Sequence, residues 1–264
     1  MKSNRGLWNE WTPHHAQSEF YDLEGFKNGR CTLKSIELEE LGDVSGKSLL
    51  HLQCHFGMDT LSWARRGAKV TGVDFSDNAI DIARSLSKEL GIEASFICSN
   101  IYDLPQNLDG EFDIVFTSYG VICWIPDLKK WAEVIAHFLK PGGIFYIVTG
   151  HPFATVFNES KDATELEIIR SYFHSLEPEG YLPDGSYAVS NISVSNRGYE
   201  WTHSLSDVIN ALINAGLKIE FLHEFPLGFF KAYPIMEQDE AGWWHIEGDR
   251  IPLTFSLKAI RFID

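Results

Sequence analysis

Asp74 is the first residue whose chemistry can be read from its surroundings in the chain. Two short runs suited to strands, Ser48–Leu52 and residues 70–73, enclose a tight turn at Gly57 and a stretch where Leu61 and Ala64 recur at helical spacing until Gly67 stops it. Residues 48–74 are therefore predicted to form strand, turn, helix and second strand, with the acid where that strand leaves the sheet. The crevice beyond the carboxyl ends of such strands binds a nucleoside. Main-chain N–H groups at the first turn face the ligand, and an acid after the second strand takes the ribose hydroxyls. A nicotinamide-dependent oxidoreductase would share the unit but want G-x-G-x-x-G at the turn, whereas residues 51–57 read HLQCHFG. His51, Cys54 and His55, or His14 and His15, are the groups with metal-ligand chemistry. Residues 51 and 55 lie across a strand–loop junction, and no second cluster completes a tetrahedral set. Packed, hydrogen-bonded histidines and no metal are expected.

Residues 49–57, LLHLQCHFG, resemble the first motif of the class I S-adenosylmethionine-dependent methyltransferases, hydrophobic-L-D-L-G-C-G-x-G. Cys54 and Gly57 match, while His51, Gln53 and His55 stand where the pattern has Asp, Gly and Gly; HLQCHFG is similar to a variant in a bacterial, small-molecule branch of the family. SNIYDLP at 99–105 resembles the family's D-A-x-x-L-P, and ICWIPDLKKWAEVIAHFLKPGG at 122–143 follows its later loop, helix and Lys-Pro-Gly-Gly in order and spacing. The resemblance implies S-adenosylmethionine as cofactor and S-adenosylhomocysteine as its product. It places Gln53, Cys54, His55, Gly57, Asp74, Phe75, Asn100, Ile101 and Ser118 around the cofactor, with Asn100 bonding the adenine amine and the Ile101 N–H a ring nitrogen. It implies methyl transfer to a small-molecule acceptor by in-line displacement. The alternative is a non-catalytic S-adenosylmethionine- or S-adenosylhomocysteine-binding or scaffold protein with a degenerate glycine loop.

In-line displacement asks chiefly for alignment at near-contact distance, so the acceptor wall is expected just past the fourth and fifth strands. His151 is the candidate base, an imidazole titrating near neutrality on a backbone that Pro152 holds extended. Tyr119 is expected to orient the acceptor, with Tyr21 and Trp124 in its pocket. The Asn/Asp-Pro-Pro-aromatic motif of many amino methyltransferases is absent there, where residues 117–120 read TSYG. Nucleobase amines and glutamine amides are disfavoured as acceptors.

The elements that must position these residues follow from periodicity and punctuation. A short helix is predicted within 31–43, with acids outward and Leu33, Ile36 and Leu41 inward, and another from the N-cap Ser76 to Leu90, closed by Gly91. Further strands are expected at 94–98, Phe112–Ser118, 144–149, Leu217–Phe225 and 251–263, with helices in 122–143 and 204–215. Together these give an α/β, Rossmann-like, doubly wound seven-stranded sheet, six strands parallel and the last antiparallel. One methyltransferase domain, 1–264, is expected: an N-terminal cap (1–45), a cofactor-binding core (46–150), an insertion or lid (151–200) and the C-terminal part of the sheet (201–264). Aromatic density in 1–30 suggests a segment folded back over the domain, either over the cofactor and acceptor pocket as the resemblance implies or on the sheet's outer face, and the aromatics of 226–250 suggest a segment that reaches the acceptor pocket. The 37 acids against 22 Lys and Arg, net −15, repel polyanions, so no nucleic-acid partner is expected. No apolar run approaches the ~20 residues of a membrane span, the N-terminus lacks a signal-peptide core, and Cys31, Cys54, Cys98 and Cys123 read as reduced thiols. No membrane association and a cytoplasmic location are expected.

Overall fold

The computed structural model describes residues 2–262. Helices α1 (Lys2–His15), α2 (Leu23–Lys27) and α3 (Ser35–Leu41) precede the core, which runs β1 (Ser48–Leu52), α4 (Met58–Arg65), β2 (Lys69–Asp74), α5 (Asp77–Leu90), β3 (Ser95–Cys98), β4 (Phe112–Ser118), α6 (Leu128–Phe138) and β5 (Leu139–Gly150). A first insertion holds the short antiparallel pair β6 (Glu179–Tyr181) and β7 (Gly198–Glu200). After α7 (Leu205–Asn214) and β8 (Leu217–Phe225), a second insertion holds β9 (Glu237–Gln238) and β10 (Trp244–His245), and β11 (Thr254–Arg261) follows. The expected last strand is shorter at both ends, and Ile263 lies outside the described residues.

The main sheet has the order β3-β2-β1-β4-β5-β11-β8. Pairs β1/β2, β1/β4, β2/β3 and β4/β5 are parallel, and β11 runs antiparallel to both β5 and β8. Six strands thus share one direction and the last opposes them, as expected. Strand order reverses between β1 and β4, so a crevice opens at their carboxyl ends, beside the end of β2.

Local chemistry accounts for the helix boundaries. Ser76 Oγ accepts from Ala79 N (3.1 Å) to start α5, and Gly91 ends it at φ 62°. Asp127 caps α6 through Lys130 N (3.1 Å), and Ser204 with Asp207 forms a capping box on α7. Each face of the sheet is covered. Leu128, Trp131, Ile135 and Phe138 of α6 pack with Phe145 and Leu257 on one side, and Trp63 of α4 with Phe116 and Tyr146 on the other.

The N-terminal region adds one helix and corrects one expectation. Residues 2–15 form a helix despite Pro13 near its end. In α3 the acids do not all face outward: Glu37 is fully buried, because it sits at the third helical position. There its Oε1 accepts from Lys34 N (2.6 Å) while Oε2 accepts from Tyr119 OH (2.8 Å).

Trp131 is fully buried in the larger packing layer, edge-on to Phe145 at 5.5 Å. Trp131→Ala is expected to cost about 3–5 kcal/mol, measured by urea unfolding. A loss below about 1 kcal/mol would contradict the packing described.

Candidate active site

The loop between β1 and α4 is held in an uncommon backbone conformation. Gln53 (φ 58°), His55 (φ 51°) and Gly57 (φ 78°) are all left-handed, so the two residues standing in place of glycines keep the geometry a glycine would adopt, at on the order of 1 kcal/mol each. Three contacts hold it: Cys54 N to Val73 O (2.9 Å), Gly57 N to Cys54 O (2.9 Å) and His55 N to Asp74 Oδ2 (2.9 Å). A Cβ on Gly57 would lie 2.7 Å from the Phe96 ring, so that glycine is also required by space. Cys54 packs among Phe56, Leu61 and Phe96; its side chain supports the loop from below.

Asp74 closes β2 at the crevice. Its Oδ1 accepts from Ser76 N (2.9 Å), and the carboxylate keeps lone-pair capacity for a further donor. Burial pushes its carboxyl up to about 6 against the pull of the Ser76, His55 and Phe75 N–H groups. Asn100 Oδ1 accepts from Tyr102 N (3.2 Å) as the cap of the short turn Ile101–Gln106, which sets the side chain beside the buried Ile101 with one acceptor lone pair left.

Over this crevice lies a chain of ring contacts that starts and ends on the segment after β4. Trp124 meets Trp8 of α1 (5.4 Å), Trp8 meets His55 (5.1 Å), His55 meets Tyr21 (5.5 Å) and Tyr21 meets Tyr187 (6.4 Å), whose hydroxyls also bond. Tyr187 then meets Phe230 (6.1 Å), Phe230 meets Phe229 (4.9 Å) and Phe229 meets Tyr119 (4.7 Å). The expected Tyr21, Trp124 and Tyr119 are thus brought together. Trp8, Tyr187, Phe229 and Phe230 join them from α1 and the two insertions. The cap is stitched down through the first part of α1: Arg5 pairs with Asp77 (2.6 Å) and Asn9 accepts from Ser76 Oγ (2.7 Å), while Asn4 exchanges hydrogen bonds with Tyr199 N (2.9 Å) and O (2.8 Å).

Three buried polar atoms around this space have no protein partner: Trp11 Nε1, Gln53 Oε1 and His55 Nδ1. The Gln53 amide is oriented by its Nε2 on Val121 O (3.2 Å). Two nitrogens, one carbonyl oxygen, the Asp74 carboxylate and aromatic faces fit a ligand with a diol, an anionic oxygen, an ammonium and a cationic centre. S-adenosylmethionine has that set of groups. Asp74 would hold its ribose, and Gln53 and His55 its polar end.

Beneath Tyr119 the site is acidic. Ser118 Oγ donates to Asp59 Oδ2 (3.1 Å) and lies 3.4 Å from His51 Nε2, so its side chain is engaged toward α4. Burial raises Asp59, and raises Glu37 to about 7 with help from the Asp59 charge. Glu37 and Asp59 had no motif in the sequence, although Asp59, two residues past Gly57 in a helix's first turn, carried a usable signal. The base role expected of His151 is not offered by the geometry. Its Nδ1 accepts from Phe153 N (3.0 Å), which leaves the proton on Nε2, 2.8 Å from Glu224 Oε1 though poorly aligned with it. Burial lowers its pKa more than Glu224 raises it. His151 caps the turn Pro152–Val156, and neither ring nitrogen is free to take a proton.

Glu37 makes stability pH-dependent with a definite sign. A carboxyl raised in the folded state adds stability that is present below its unfolded pKa and lost as pH rises through the folded value, here between about 4.5 and 7. The difference in unfolding free energy of Glu37→Gln over the parent should therefore grow across that window, by about 3.4 kcal/mol at most. A flat difference would place the charge elsewhere.

Residues 49–143 match a methyltransferase-domain family. A ubiquinone biosynthesis O-methyltransferase of Photorhabdus laumondii subsp. laumondii is 27% identical over 168 residues, 62% of this chain and 67% of that protein. Across the curated relatives the chain spans about two thirds of their length or less. Among solved structures, a Listeria monocytogenes protein described as an S-adenosylmethionine-dependent methyltransferase superposes with TM-score 0.61 at 17% identity, covering 86% of this chain and 96% of that one. The cyclase SpnF superposes with TM-score 0.59 at 16% identity, covering 98% and 94%. With the loop, the acid after β2 and the sheet order in place, residues 49–143 are similar to a methyltransferase domain, and the sheet has the fold of S-adenosylmethionine-dependent methyltransferases.

Proposed function

We propose that the protein transfers the methyl group of S-adenosylmethionine to a small molecule bearing a flat, apolar ring, in the crevice under α1 and the two insertions. The observation that carries this reading is the run of ring contacts from Trp124 round to Tyr119. Aromatic faces at the mouth of the crevice suit a flat acceptor and tolerate the sulfonium charge. Asp74 and the left-handed loop hold the cofactor, and Asn100 and the Ile101 N–H receive its adenine. In-line displacement leaves the protein mainly to align the two reactants and exclude water. Tyr119, its hydroxyl given to Glu37 (2.8 Å), presents oxygen lone pairs to an acceptor O–H. The names of the curated relatives favour a ring hydroxyl as the acceptor group. The net charge of −15 favours a small molecule over a nucleic acid. The cysteines Cys31, Cys54, Cys98 and Cys123 are unpaired, in keeping with a reducing, cytoplasmic setting. Among the described residues no helix is long and apolar enough to cross a membrane.

Calorimetry with S-adenosylhomocysteine tests the cofactor site, and Asp74→Ala should weaken binding by about one to two decades through loss of charged hydrogen bonds worth roughly 1.5–3 kcal/mol. Affinity should also fall as pH drops below about 6, where the Asp74 carboxyl takes up its proton. Full affinity in folded Asp74→Ala would remove the acid from the site. Incubation with S-adenosylmethionine and a panel of ring phenols, read by mass spectrometry, tests the transfer. Tyr119→Phe should lower kcat/KM for the best acceptor about tenfold without changing S-adenosylhomocysteine affinity. An equal loss in both would make Tyr119 a cofactor contact instead.

A further inference from the structure

The cap and the cofactor loop are joined by hydrogen bonds whose direction follows from counting donors. Ser186 Oγ accepts from Ala188 N (3.3 Å) and Val189 N (3.2 Å), which uses both lone pairs, so its own hydrogen must be donated. Val189 O is 3.5 Å away and already accepts from Ser186 N (2.7 Å), whereas His15 Nε2 is 2.9 Å away. The hydroxyl therefore donates to His15. Burial keeps both His15 and His55 neutral at pH 7, lowering the first to about 4 and the second well below its ordinary value. A neutral imidazole that accepts at Nε2 carries its proton on Nδ1, so His15 Nδ1–H donates to His55 Nε2 (3.0 Å). By the same rule His55 carries its proton on Nδ1, and that N–H is buried without a partner. Run in reverse, the chain would ask the Ser186 oxygen to accept three times and leave its hydrogen the long contact alone.

We propose that His55 Nδ1–H is a cofactor-binding donor, fixed in that tautomer by the positioning residues His15 and Ser186, and that it bonds the carboxylate of the cofactor's amino-acid end. The inference rests on the cofactor reading above and deepens it. Asp74 takes the ribose and Gln53 Oε1 is an acceptor suited to the ammonium, so the carboxylate is the group that matches an unpartnered N–H. Trp11 Nε1, the other orphan donor here, belongs to a ring stacked 5.9 Å from His15. Because Ser186 sits in the first insertion and His15 ends α1, the carboxylate site is complete only when both cover the loop. His55 in place of a glycine thus adds a side-chain contact that a glycine could not make.

Three readouts test this. Nitrogen-15 NMR of the ligand-free parent reads the tautomer directly: a protonated Nδ1 on His55 is expected, and a protonated Nε2 overturns the relay. Calorimetry compares S-adenosylhomocysteine with methylthioadenosine, which keeps the adenosine and lacks the amino-acid end. His55→Gly, suited to the left-handed φ of 51° and so expected to fold, should raise the S-adenosylhomocysteine Kd about tenfold or more and leave methylthioadenosine unchanged. Unaltered S-adenosylhomocysteine binding, or equal weakening of both ligands, overturns the proposal. His15→Phe should weaken S-adenosylhomocysteine comparably in the parent background and add nothing in His55→Gly; full additivity overturns the role of His15. A parent that binds neither ligand refutes the cofactor reading itself, while the tautomer still judges the relay.

Discussion

The left-handed backbone of residues 53, 55 and 57 is the constraint on which the rest of the site depends. Two of those positions carry side chains, and the cost persists only because the surroundings fix the loop from three sides. Val73 O holds Cys54 N, the Asp74 carboxylate holds His55 N, and Phe96 and Ala83 leave room for nothing larger than the glycine at 57. The same Asp74 carboxylate that pins the loop is the acid proposed above to hold the ribose. On the proposed function, loop geometry and ribose recognition are one interaction, and a change at residue 74 acts on both.

Buried charge is the second organising feature. Asp74, Asp59 and Glu37 all lie close to the carboxyl ends of β1, β2 and β4, and burial raises each of them. Leaving carboxyls in that state costs stability near neutral pH. A cationic ligand in the crevice would offset that cost, and the loss of its charge on methyl transfer would remove the compensation and so favour release. The acids thus fit a site that holds a sulfonium more tightly than the neutral thioether it becomes.

The sheet was legible in the sequence because each of its parts carries a local signal: apolar runs for β1 and β4, Ser76 and Gly91 around α5, and Pro141 with its glycines before the parallel part of β5. Asp74 and Gly57 were legible for the same reason. α1 was hidden by Pro13 and a sequence of weak periodicity; what holds it is Arg5, Asn9 and Asn4 bonding to distant elements. Glu37 was read as solvent-facing because acids on a short amphipathic helix usually are, and the partner that buries it, Tyr119, is 82 residues away. His151 stood at the right place along the chain, but the position of a residue does not reveal which atoms its ring nitrogens will meet. Side-chain partnerships across such separations are tertiary facts, and they decide the chemistry.

The likeness to a cyclase as well as to a methyltransferase separates what the sheet does from what the caps do. Strand order and the β1–α4 loop open a crevice at the carboxyl ends of the strands, the place where open α/β sheets bind ligands. What this chain adds is the lining: Trp8 and His15 from α1, Ser186 and Tyr187 from one insertion, Phe229 and Phe230 from the other. None of those elements contributes a strand to the main sheet, so they are free to differ between relatives without cost to the core. Yet here they reach the loop itself, through the contact of His15 with His55. On the proposed function, acceptor choice and cofactor geometry are coupled: a substitution in the cap that reshapes the acceptor pocket also changes the hydrogen-bond partner of His55.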